Sequence, residues 1–138
     1  MSEFQRFGVK SFTGETKSSE FAAYLERGQF ITTRCKQCRA VSFPPRVDCP
    51  ECRSSDVEWI EVTEKGRLQA FTVVHYGPAG FEDRAPYTLG VVGFPMGIKV
   101  LGEIDEAIPT GEIKVGMVLR VVPIRLNGER VSYHFEKD

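Results

Sequence analysis

The sequence has few of the residues from which most enzyme active sites are built. Its 138 residues include only two histidines, His75 and His134, and one tryptophan. It has no GxSxG, no HExxH, no phosphate-binding loop and no dinucleotide fingerprint, and no acid/base pair stands out. It also lacks an excess of charge of either sign. Eighteen basic and nineteen acidic side chains leave a net charge of -1, so the chain has none of the basic bias expected of a nucleic-acid or anionic-lipid binder. No run approaches the roughly 20 apolar residues that a membrane helix requires. The segment from Met1 to Lys10 lacks the apolar centre of a signal peptide. The expected compartment is therefore the cytoplasm. In that reducing setting paired cysteines serve as metal ligands or redox groups more often than as disulfides.

What the sequence does have is four cysteines in two matched pairs, Cys35-x2-Cys38 and Cys49-x2-Cys52, ten residues apart. Two residues between cysteines let both sulfurs of a tight turn point the same way. Two such turns face to face supply four thiolates at the corners of a tetrahedron, at about 2.3 Å from a zinc ion. Iron accepts the same ligands, and two disulfides are the remaining alternative; a structural zinc is the reading adopted. Four sulfurs leave no open coordination position, so such a centre folds the chain and neither activates water nor binds substrate. Arg34, Lys36, Arg39, Arg46 and Arg53 surround the pairs. A solvated surface that offsets the dianionic zinc–thiolate core explains them more simply than a phosphate or acidic-partner site.

Around this unit the pattern is one helix followed by strands. Residues 1–17 read as a polar arm. Ser18 or Ser19 can cap a short helix that Gly28 ends, with Phe21, Tyr24 and Leu25 on one apolar face. A helix this short needs a surface to pack on. Packing on the chain's own body is the simpler expectation, and packing on a partner subunit the alternative. Strands are expected at 30–34, 40–43, 57–62, 68–76, 87–94, 98–104, 117–122 and 130–135. Pro95-Met96-Gly97 and Asn127-Gly128 mark hairpin turns. Short strands with no second strong helix suggest a small closed barrel, and Gly90, Gly93, Gly102 and Gly116 fall where bulges or bends would curl it.

The loop from Gly77 to Pro86 is longer than a hairpin needs. It carries Phe81 and Arg84, which either fold back on the barrel or meet a ligand or partner. His75 reads as a polar strand terminus rather than a chemical group, and His134 as structural or exposed.

The order of helix, CxxC, FPPR at Phe43–Arg46, CPxC at Cys49–Cys52, GRLQAFTVVH at Gly66–His75, PYTLGVVGF at Pro86–Phe94 and IKVGMVLRVV at Ile113–Val122 resembles the zinc-ribbon/OB-fold family of acyl-CoA-associated proteins over residues 18–136. The resemblance implies a mainly β protein with three parts. These are an arm and helix over 1–30, a rubredoxin-like zinc ribbon over 31–56 and an OB-fold barrel over 57–138. It places the metal ligands on the four cysteines and transfers no catalytic residue. It further implies a non-catalytic subunit of a hetero-oligomer, partnered by a thiolase-like enzyme that supplies the nucleophile, with a CoA thioester as a possible ligand. In the branch nearest in pattern, the partner enzymes are benzoylsuccinyl-CoA thiolases of anaerobic toluene degradation. On that footing Phe21, Tyr24, Leu25, Phe43, Arg46, His75, Phe81 and Arg84 are candidates for contact with acyl-CoA or the partner, since guanidinium forks suit phosphate and carboxylate. Two other functions fit the modules: nucleic-acid binding, which the absence of a basic barrel segment opposes, and iron-based electron transfer.

Overall fold

The computed structural model describes residues 20–79, 83–126 and 130–138. The expected capping serines, Phe81 and the Asn127-Gly128 turn lie outside them. Helix α1 (Glu20–Glu26) ends where Gly28 takes φ +80°. The Gly28 N–H donates to the Leu25 carbonyl and the Gln29 N–H to the Tyr24 carbonyl, at 3.0 and 2.9 Å, which closes the last turn as a Schellman cap.

Among the described residues, eight strands follow in two sheets. β1 (Ile31–Cys35), β2 (Val41–Ser42) and β3 (Val57–Glu61) form an antiparallel sheet in the order β2-β1-β3. β3, which the expected division at residue 57 places at the start of the barrel segment, pairs along β1 in the register Ile31↔Glu61 through Cys35↔Val57. Thr32 and Thr33, both buried on β1, keep their hydroxyls paired: Thr32 donates to the Ser42 carbonyl, and Thr33 Oγ1 accepts the Arg46 N–H at 2.8 Å.

The second sheet, β4 (Gly66–Val74), β5 (Tyr87–Gly93), β6 (Lys99–Ile104), β7 (Val118–Arg125) and β8 (Val131–Lys137), closes into a barrel in the order β4-β5-β6-β8-β7. All its pairings are antiparallel except β6–β8, at Glu103↔His134 and Ile104↔Phe135. That single parallel contact in a five-stranded closed barrel is the OB-fold arrangement. The core is drawn from alternate residues: Leu68, Val92, Val100, Leu119 and Phe135 are each 0–1% exposed. A bulge in β4 between Leu68 and Ala70 bends the strand. Gly93 lies under the bulged Gln69, whose amide would sit 2.1 Å from a β-carbon there. Gly66 is equally confined, since a β-carbon would come within 2.5 Å of Val92 and 2.8 Å of the Gly93 carbonyl.

Aromatic rings join helix, ribbon and barrel. Phe30 stands 5.5 Å from Phe21, 5.4 Å from Phe43 and 5.0 Å from Tyr133 of β8, centroid to centroid. Tyr24 packs on Trp59 of β3 at 5.5 Å. Tyr133 donates its hydroxyl to the Leu101 carbonyl at 2.6 Å, and burial pushes its phenol above the ordinary range. Arg125 of β7 donates to the Glu26 carbonyl at 2.9 Å, satisfying one of the helix's terminal acceptors.

Candidate metal centre and its surroundings

Each cysteine pair sits in a turn built the same way. In the first, the Cys35 N–H donates to the Ala40 carbonyl and the Arg39 N–H returns to the Cys35 carbonyl, at 2.9 and 3.0 Å. In the second, Cys49 donates to Ser54 and Arg53 to Cys49, at 2.8 and 2.9 Å. The residue after the second cysteine of each pair, Arg39 or Arg53, takes the left-handed conformation at φ 69° or 64°. That conformation costs a non-glycine residue energy. Its occurrence at matching positions shows that the turn geometry demands it. The sequence signal was the paired CxxC-Arg, whose arginines stood out there only for their charge.

The four sulfurs converge. All lie within 4.8 Å of one another, with Cys35 Sγ 3.5 Å from Cys52 Sγ and Cys38 Sγ 3.4 Å from Cys49 Sγ. A zinc tetrahedron with bonds of about 2.3 Å has sulfur–sulfur edges of about 3.8 Å, so the donor set fits the ion in chemistry and size. Cys35 and Cys49 are buried and Cys38 and Cys52 exposed. The Cys38 N–H, 3.5 Å from Cys35 Sγ, holds the Cys35 thiol down at about 6. The amide of Cys52 and then that of Glu51, which lies 3.4 Å from the sulfur, lower Cys49 against the effect of its burial. Cys38 is pushed up to about 12: the Ala40 amide favours its thiolate, but the bond to Cys49, burial and the other two sulfurs outweigh it. Cys52 is raised in the same way, its bond to Cys35 and burial outweighing the Ser54 amide. The turn amides thus favour the thiolate at the first cysteine of each pair, and zinc binding releases the protons that the ligands still hold.

The other candidate residues do not gather at one place. Leu25 lies in the core, and Phe21 and Phe43 are half-buried in the aromatic joint. The helix face therefore packs on the chain's own body. Arg46 is exposed beside the ribbon and His75 is exposed just past β4. Arg84 lies on the barrel, paired with Glu103 at 2.6 Å. It borders a cleft of about 640 Å3 whose wall includes Tyr87, Glu103, Asp105 and His134. Sequence order did not reveal this cleft, because its walls come from β5, β6, β7, β8 and the loop before β5.

A tetrathiolate ribbon fused to an OB-fold barrel defines a class of protein. Residues 22–58 match the family model of the ChsH2 rubredoxin-like zinc ribbon domain, and residues 59–123 that of the ChsH2 C-terminal OB-fold domain. The chain belongs to the DUF35 family: it is 36% identical over 98 residues to a DUF35 domain-containing scaffold protein of Methanocaldococcus jannaschii, covering 70% of this chain and 69% of that one. A second DUF35 scaffold protein, from Methanothermobacter thermautotrophicus, is 32% identical over 80% of this chain and 86% of its own length. Benzoylsuccinyl-CoA thiolase subunit BbsA of Thauera aromatica is 28% identical over 75% of this chain and 73% of its own. Among solved structures, a chain of the Ltp2-ChsH2(DUF35) aldolase shares the fold with a TM-score of 0.77 at 20% identity, over 91% of this chain and 98% of that one.

Proposed function

We propose that this chain is a non-catalytic, zinc-stabilised subunit of a thiolase-type acyl-CoA complex in the cytoplasm. It would support acyl-CoA binding and thiolytic cleavage by a catalytic partner. One observation carries the reading: four protein sulfurs converge where they would fill every position of a tetrahedral ion, a scaffolding arrangement, and relatives that match both modules are named scaffold proteins and a thiolase subunit. Those relatives favour this reading over a nucleic-acid module or an iron electron carrier.

The partner would supply the thiolate that attacks the β-keto carbon and takes the acyl group before CoA accepts it. When bound, zinc contributes structure alone. This chain's residues would hold and orient. Arg46 on the ribbon and Arg84 beside the barrel cleft suit the phosphates of CoA or a substrate carboxylate. His75, exposed just past β4, is a further candidate for contact, as is Phe81 in the sequence that follows it, and Phe43 and the helix residues Phe21, Tyr24 and Leu25 back the ribbon face. Benzoylsuccinyl-CoA is the finer proposal for substrate.

Affinity capture of the tagged chain from its native cells tests the reading. A thiolase-like protein recovered in fixed stoichiometry and surviving gel filtration is the expected result. A chain that elutes alone at every salt concentration overturns it. Arg46→Ala and Arg84→Ala in the captured complex test the contacts: unchanged acyl-CoA affinity and turnover remove both residues from the proposal.

A further inference from the structure

The outer face of the barrel carries a second convergence of metal-ligating side chains, far removed in chemistry from the four sulfurs. His134 and Glu136 stand two apart on β8 and so point to the same side, opposite to Phe135, which fills the core. Asp105 follows β6, the parallel neighbour of β8, and its N–H donates to the Phe135 carbonyl at 2.9 Å. That bond fixes the aspartate beside the other two. One donor atom from each of the three lies within 4.8 Å of the others.

We propose that Asp105, His134 and Glu136 form a divalent-cation site with open coordination positions facing the barrel cleft. The distances suit it. His134 Nε2 is 2.9 Å from Glu136 Oε1, and two adjacent ligands of a six-coordinate ion with bonds of about 2.1 Å stand about 3 Å apart. One imidazole and two carboxylates select borderline and hard first-row ions such as zinc, cobalt and manganese. The two carboxylates balance the charge of a divalent ion. The residues are also partly withdrawn from water, the His134 side chain being 19% exposed and Glu136 33%, which strengthens attraction for a cation.

The polar neighbours leave the donors available. Asp105 Oδ1 accepts the Ala107 N–H at 3.1 Å, which orients the carboxylate and leaves Oδ2 to ligate. Arg120 reaches Glu136 Oε2 at 3.6 Å, too long for a hydrogen bond and on the oxygen not shared with His134. Asp105 and His134 line the cleft that Arg84 and Glu103 border. Three protein ligands leave room for water or for an oxygen anion entering from that cleft. The site stands on its own residues and does not require the thiolase reading.

The probe is Co2+, titrated into the full chain after the four-cysteine centre has been loaded with zinc. One further equivalent should bind, giving weak visible bands without the intense near-ultraviolet thiolate-to-cobalt absorption. D105N, H134Q and E136Q should each weaken that equivalent by about tenfold or more, while bound zinc stays at one per chain. Absence of a second equivalent in the unaltered chain overturns the proposal, as does cobalt binding that the three variants leave unchanged. Mn2+ added to the unaltered zinc-loaded chain gives a readout free of any folding defect. Broadening of the His134 imidazole signals supports the site, and broadening confined to other residues overturns it.

Discussion

Single residues decide where this chain can change and where it cannot. The cysteines act as a set, because a tetrahedral ion needs all four sulfurs. Cys49→Ser puts a hydroxyl that stays protonated at neutral pH in place of a buried thiolate whose charge the Cys52 and Glu51 amides favour. Zinc affinity should fall by more than about a hundredfold by competition with a chromophoric chelator, beyond the roughly 10–100-fold loss that altering an outer-shell partner brings. Gly66 tests packing in the same way. An added methyl meets Val92 and the Gly93 backbone, so Gly66→Ala should cost about 1–3 kcal/mol of stability in urea. Glu58 tests charge. Arg34, 2.7 Å from its carboxylate, holds it below its ordinary value of 4.5. A depressed carboxylate contributes stability above the unfolded value and loses it as pH falls through the folded one. The stability advantage of the native chain over Glu58→Gln should therefore be constant from pH 7 to 5 and shrink below about 4.5. An advantage that instead grew with acid would contradict the sign. The ligand set was legible at this scale because the cysteines are close in sequence and evenly spaced. Asp105 and His134 were not, because a barrel crossover separates them and only the parallel β6–β8 contact brings them together.

Elements fold here by leaning on one another. β2 has two residues and β1 and β3 have five each, too little strand for an independent sheet. The metal holds one end of this sheet and the aromatic joint the other. Phe30, 3% exposed among Phe21, Phe43 and Tyr133, is the residue common to ribbon, helix and barrel. Phe30→Ala should cost about 3–5 kcal/mol and split one unfolding transition into two when followed by denaturant titration. Zinc removal should act on the ribbon first. Amide exchange after complete chelation should accelerate through residues 31–61 and leave β4–β8 protected. Strand positions were readable from alternation and turn residues, with no end differing by more than three residues. The partner of β3 was not readable, because its pattern of half-buried residues suits either sheet and only the register with β1 assigns it. The helix face was readable as apolar, but which surface it covers depended on Tyr133, more than a hundred residues away.

Across the described residues, a four-cysteine ribbon and a closed barrel are joined through aromatic rings, with a polar cleft on one side of the barrel. Four sulfurs bound to zinc would leave no free nucleophile at the metal centre. On the proposed function, reactivity toward thioesters belongs to a companion protein. The most direct measurement is thiolysis of a β-keto acyl-CoA by the zinc-loaded chain alone, by its captured partner alone and by the complex. No turnover by the chain is expected, and turnover by the complex should fall when this chain is withdrawn. Thioester cleavage by the isolated chain, at a rate that survives repurification, would contradict it.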